Sequence, residues 1–112
     1  MDCIFCKIIA GEIPAKVVLR DDDVVAIEDV NPQAPTHLLV MPVRHVSNID
    51  EMSPGTDGAL MAKLIATAAR LGREHGRDGY RLVINTGPDG GQTVDHTHVH
   101  VLAGRHLTWP PG

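Results

Sequence analysis

Five residues, His96-Thr97-His98-Val99-His100, constrain this chain more than any others. Histidine takes every second position while Thr97, Val99 and Val101 fill the gaps, a two-residue period that fits a β-strand and misfits a helix. In an extended strand the three imidazoles point to one face, with neighbours about 7 Å and the outer pair about 13 Å apart. The β-branched residues between them point to the other face, where they can pack into a core. The chain therefore needs a sheet in which this strand has one apolar side and one imidazole side. Imidazole can titrate near neutral pH, ligate a metal or attack an electrophile.

Upstream lies Asn85-Thr86-Gly87-Pro88-Asp89-Gly90-Gly91-Gln92-Thr93, after the apolar alternation of residues 80–84. Glycines let the backbone turn N–H groups toward an anion. Asp-Gly-Gly is also an ordinary hairpin turn, but this loop leads directly into the histidines, which favours an oxyanion held beside imidazoles. His-x-His-x-His alone supports two chemistries. Either the histidines hold a catalytic zinc that activates water, or one imidazole attacks phosphorus while its neighbours orient it and bind phosphate. The glycine-rich loop favours the second.

The remaining elements follow from pattern. Ile4, Phe5, Ile8 and Ile9 recur at helical spacing before Gly11, predicting a short helix over residues 3–11. Residues 16–19 and 24–30 read as strands around the Asp21-Asp22-Asp23 turn. Prolines 32 and 35 exclude regular structure from the next loop. His37 to Met41 is almost entirely apolar, predicting a central third strand that ends at Pro42. Ser53-Pro54 opens a long helix, serine as cap and proline in the first turn. Leu60, Met61, Leu64, Ile65, Ala68 and Leu71 form its apolar stripe, and Gly76 stops it. Strands at 80–85 and 97–103 complete the set. The expected fold is α+β, a five-stranded, mostly antiparallel meander with one long and one short helix, because most strand connections are too short for crossovers.

With 112 residues the chain reads as a single domain, 1–112, built on one core. A net charge of −4 without a Lys/Arg cluster argues against nucleic-acid binding, and three aromatic residues leave little for base stacking. No apolar run is long enough to span a membrane, and the first residues lack the pattern of a signal peptide, so the expected location is the cytoplasm. In that compartment the Cys3-Ile4-Phe5-Cys6 pair points to metal binding or thiol redox chemistry rather than a disulfide. The redox motif belongs after a strand, so metal is favoured. Two cysteines make half a tetrahedral zinc site, with His45 and His96 the candidates for the other half.

The ordered segments Cys3-Ile4-Phe5-Cys6-Lys7-Ile8-Ile9, Glu12-Ile13-Pro14-Ala15-Lys16, Asn31-Pro32-Gln33-Ala34-Pro35-Thr36-His37, Asp89-Gly90-Gly91-Gln92, the three histidines and Trp109-Pro110-Pro111-Gly112 resemble the histidine-triad (HIT) family over essentially the whole chain. Within it they resemble the Hint branch of nucleotide phosphoramidases. The resemblance implies that His98 attacks the phosphorus of a nucleoside 5′-monophosphate derivative, such as an adenosine phosphoramidate. A covalent nucleotidyl-histidine then forms and is hydrolysed. His100 and His37 share proton transfer, and His96 completes the catalytic set. Asp29 accepts the ribose hydroxyls. Ile4, Phe5, Ile8, Ile27, Val30 and Leu39 line a slot for a purine base, and Asn85, Gln92, Thr93, His98 and His100 contact phosphate. Glu28 stands where some Hint members carry histidine, which leaves base preference open.

The same resemblance implies a structural, non-catalytic zinc on Cys3, Cys6, His45 and His96, and a homodimer joined through the long helix and a neighbouring strand, with the WPPG tail reaching the partner's site. Competing readings are a dinucleoside polyphosphate hydrolase, a zinc-dependent hydrolase and a nucleotide-binding module without catalysis.

Overall fold

The computed structural model describes residues 2–112. Its elements run α1 (Ile4–Ile9), β1 (Val17–Arg20), β2 (Val24–Glu28), β3 (Thr36–Pro42), α2 (Pro54–His75), β4 (Tyr80–Val83) and β5 (Val99–Ala103), with a 3-10 turn at Ile49–Glu51 that the sequence pattern did not announce. The expected α+β architecture of five strands, one long and one short helix is present. Every strand pairing is antiparallel.

The order is not a plain meander: it runs β1-β2-β3-β5-β4. Helix α2 carries the chain past the place beside β3 to the outer position, and β5 returns to fill the gap. With 22 residues the helix is about 33 Å long, ample for that crossover. β3 therefore sits at the centre, as its apolar run requires.

Alternation sorts the strands into two layers of core. Val24, Ala26, Leu38, Val40, Val99 and Val101 meet Leu64, Ala68 and Leu71 of α2. On the other face Val25, Ile27, Leu39 and Met41 meet Cys3 and Phe5 from the N-terminal segment. The histidines share this second face, where Phe5 meets the rings of His96 and His98 edge-on at 5.9 and 5.1 Å.

α1 covers residues 4–9 of the expected 3–11, β1 and β3 differ by a residue at their ends, and three further strand ends depart from the sequence pattern for a local reason. β5 begins at Val99, not residue 97, so His96 and His98 precede the strand. Pairing stops at Val40–Val99. Further along β3, Pro42 has no N–H to offer, and Thr97 turns aside to give both its N–H and its hydroxyl to Val46 O, at 2.6 and 2.9 Å. β2 ends at Glu28, because the Asp29 carboxylate accepts the Asn31 N–H at 2.8 Å and folds the chain into a turn. β4 ends at Val83, whose partner His100 lies at the start of β5. At the head of α2, Ser53 occupies the cap position but its hydroxyl caps nothing. The Asp57 carboxylate instead accepts from the Ser53 N–H at 2.8 Å, doing from the fourth helical position what a capping box does from the third.

Candidate active site and metal centre

The triad divides into two sites that meet at His96. Its ring is fully buried, with Nε2 donating to Pro42 O at 2.8 Å. That bond leaves Nδ1 as a lone pair. Nδ1 lies 3.4 Å from Cys3 Sγ, 3.6 Å from Cys6 Sγ and 3.2 Å from His45 Nδ1, and Cys6 Sγ lies 3.3 Å from the same His45 nitrogen. A tetrahedral zinc with ordinary bond lengths has donor–donor edges of about 3.3 Å between nitrogens and about 3.6 Å between nitrogen and sulfur. The four donors fit that shell. Burial and the neighbouring Cys3 sulfur raise the Cys6 thiol above its ordinary range, a shift that a cation among these atoms would oppose. The Pro42 carbonyl acts as the outer partner that metal-bound imidazoles commonly have. A hollow of about 380 Å³, lined by residues including Asp2, His45, Ser47, Thr93 and Asp95, opens beside Cys3.

With both nitrogens engaged, the His96 ring is turned away from the other two triad histidines, but its backbone is not. The carbonyl of His96 accepts from His98 Nδ1 at 2.7 Å. Nδ1–H is thereby fixed on His98 and Nε2 is left as the lone pair, the form a nucleophile needs. His98 and His100 ring centres are 5.0 Å apart, closer than the 7 Å of an ideal strand, because His98 lies just before the strand.

Beyond His98, His100 Nδ1 meets His37 Nε2 at 2.8 Å, and Asp29 Oδ2 stands 3.3 Å from the same His37 nitrogen. Burial lowers His37 below its ordinary value, and Asp29 opposes that shift. Burial, then the charges of His98 and His37, push His100 down to about 4. Both rings are neutral at pH 7. Asp29, His37 and His100 also place three potential metal donors within 4.8 Å of one another. The Gln33 N–H, however, donates to His37 Nδ1 at 3.0 Å. That leaves the proton on Nε2, so His37 has no lone pair there for a cation without becoming a doubly deprotonated imidazolate. The trio is a hydrogen-bonded chain.

The residues expected at the phosphate divide differently. Gln92 latches its own loop, its side chain accepting from Gly87 N–H at 3.0 Å and donating to Ser47 O and Val94 O at 2.7 and 3.0 Å. Its backbone N–H is bonded to Gly87 O. Gly91 adopts φ +80°, and a Cβ on Gly90 would meet Thr86 O at 2.3 Å, so the turn requires glycine at both positions. Thr93 lines the hollow beside the cysteine–histidine cluster, and Asn85 is half-buried just after β4. Of the six apolar residues expected at a base, Phe5, Ile27 and Leu39 are core, Ile8 is half-buried, and Ile4 and Val30 are exposed at 47% and 98%. Sequence reasoning missed the carbonyls of Pro42 and His96 and the N–H of Gln33. Backbone groups leave no mark in residue identities.

A HIT domain match covers residues 10–107. An uncharacterized HIT-like protein of Synechococcus elongatus is 50% identical over 99% of this chain and 97% of its own length. A 14 kDa zinc-binding protein of Zea mays is 46% identical over 97% of this chain and 87% of its own. The crystal structure of a HIT family hydrolase from Legionella pneumophila superposes with a TM-score of 0.94 at 47% identity, covering 99% of this chain and all of that one. Motifs, fold and the paired histidine sites agree: this chain belongs to the HIT domain family.

Proposed function

We propose that the protein is a nucleotide phosphoramidase of the Hint type, acting on purine nucleoside 5′-monophosphates joined to an amine. One observation carries the reading: His98 is held as the Nδ1–H tautomer by its own chain, beside a neutral His37–His100 pair. In the first step the His98 Nε2 lone pair forms a bond to phosphorus. The phosphorus–amine bond breaks, its electron pair leaves with the amine, and the amine takes up a proton from solvent while the His100 Nε2–H donates a hydrogen bond to the phosphate. In the second step water attacks the same phosphorus and the imidazole–phosphorus bond breaks. The water's proton passes to solvent, and the nucleoside monophosphate leaves. Such transfer depends mainly on positioning and charge neutralisation.

Asp29, one oxygen facing His37, is assigned to the ribose hydroxyls, and the exposed Ile4 and Val30 to the base. Zinc on Cys3, Cys6, His45 and His96 is assigned a structural role, since four protein donors leave no position for water or substrate. When bound it supplies a cross-link between the N-terminal segment and the start of the triad strand. The outer strand β4, with apolar surface at Tyr80 and Ile84 and at Ile65 on α2, is assigned to a homodimer interface, which sedimentation at micromolar concentration tests.

The deciding experiment mixes protein briefly with adenosine phosphoramidate, quenches in base and maps the adduct by mass spectrometry. An adenylyl group on His98 is the expected result. An adduct elsewhere, or turnover with no trapped adduct in the wild type or in slow-hydrolysing variants, rejects the assignment.

A further inference from the structure

We propose that the Gln33 N–H, in the Pro32–Gln33 peptide, sets the ring tautomers of both His37 and His100, and that Arg105, bonded to the Gln33 carbonyl on the following peptide, is the positioning residue that holds this stretch of loop in place. The kinetic consequence rests on His98 being the nucleophile; the tautomer assignment does not.

A neutral imidazole has one N–H and one lone pair. By accepting from Gln33 at Nδ1, His37 must hold its proton on Nε2. That N–H has two neighbours, His100 Nδ1 at 2.8 Å and Asp29 Oδ2 at 3.3 Å, and only the first lies at full hydrogen-bond distance. His100 therefore accepts at Nδ1, and its own proton is driven to Nε2. His98 is locked the opposite way, with Nδ1–H on the His96 carbonyl. Two histidines separated by one residue thus present the same ring atom in opposite roles, Nε2 as lone pair on His98 and Nε2–H as donor on His100. Burial keeps His37 and His100 uncharged, so the tautomer decides what each ring can do.

The loop that supplies this N–H is itself braced. Arg105 Nε donates to Gln33 O at 2.9 Å, its Nη1 donates to His106 O at 3.1 Å, and the Gln33 amide donates to Asn31 O at 3.1 Å. The chain reaches this arrangement because Gly104, at φ +95°, lets the end of β5 press on Pro35, where a Cβ would stand 2.8 Å from the proline ring. Arg105 is exposed, and among the described residues its hydrogen bonds go to Gln33 O and His106 O and not to His37, His98 or His100, so its bond to Gln33 O is its route to them.

Protein labelled with ¹⁵N-histidine, read by two-bond proton–nitrogen correlation at pH 7, tests the assignment. Wild type should show pyridine-type Nδ1 and pyrrole-type Nε2 for His37 and His100, and the reverse for His98. Arg105→Met removes the donors and keeps the stem. It should move the His37 and His100 signals toward the tautomer average and lower kcat about tenfold while KM stays within about twofold, with Arg105→Lys restoring part of both. Gln33→Pro removes the N–H directly. If that variant does not fold, an ester in place of the Pro32–Gln33 peptide bond removes the same hydrogen. Pyrrole-type Nδ1 on wild-type His37, an unchanged nitrogen pattern in every variant, or full kcat alongside mixed tautomers would each overturn the proposal. The expected nitrogen pattern in a protein that forms no His98 adduct would uphold the assignment and reject the phosphoramidase reading.

Discussion

His98 and His100 show how neighbouring copies of one residue type are made different. The first is oriented by the carbonyl two residues back, the second through His37 by a loop N–H. His98→Ala is expected to keep the fold and to lower turnover by about 10⁴-fold or more, measured as single-turnover release of adenosine monophosphate. His37 and His100 are both held below the ordinary histidine value of 6.5, His100 at about 4. A depressed folded value means that the unfolded chain takes up these protons first as pH falls. Stability is therefore full above about pH 6.5 and declines as pH drops from there toward about 4. Urea denaturation midpoints at pH 7, 5.5 and 4.5 should fall in that order, and exchanging His100 for Gln should flatten the trend. The alternation of residues 96–101 was legible in the sequence, as were the chemical types gathered around it. The grouping of His96 with the cysteines was expected too, but not the bonds that turn its ring, to Pro42 O and through Thr97 to Val46 O, some fifty residues away in the chain.

Helices and strands were read well where one periodicity ran unbroken. The stripe along α2 predicted a buried face that holds at Leu64, Ala68 and Leu71 but not at Ile65, which is 45% exposed, and the apolar run of residues 37–41 placed β3 at the centre. Strand order was not legible, because local pattern says that residues 80–83 and 99–103 are extended without saying which lies beside β3. Ends were set by tertiary bonds, as at Thr97 and Asp29. The packing of α2 on β4 turns on Gly72, where a Cβ would stand 2.4 Å from the Tyr80 ring close to its attachment. Gly72→Ala must displace that ring and with it the first residue of the outer strand. A loss of about 1–3 kcal/mol in denaturant unfolding is expected, and relief by Tyr80→Ala in the double variant would identify the clash as the cause.

The whole molecule is a sheet with α2 on one face and the N-terminal segment on the other, and the two covers are unequal. α2 buries Leu64, Ala68, Leu71 and Gly72, whereas α1 is a six-residue helix with one buried residue, Phe5. A helix that short has little stability of its own, so it is held by the packing of Cys3 and Phe5 on the sheet, by Arg20 on the Ile9 carbonyl and by the cysteine–histidine contacts. Chelation followed by desalting should lower the melting temperature by roughly 10 °C or more, with recovery on adding one equivalent of zinc; each kcal/mol corresponds to about 4–8 °C in a chain of this size. An unchanged melting curve would remove zinc from the account of stability. The broad hollow of about 570 Å³ at the opposite end is rich in basic residues, yet two of its arginines are tied to main-chain carbonyls, Arg81 to Leu107 and Thr108 and Arg105 to Gln33 and His106. They brace the tail. His96 hands its ring to one centre and its carbonyl to the other, so disturbance in the first travels to the second through a single peptide unit. Slowing by a chelator would therefore not by itself mark this protein as a metalloenzyme, because loss of an ion from the first centre would also unsettle the aim of the His98 ring.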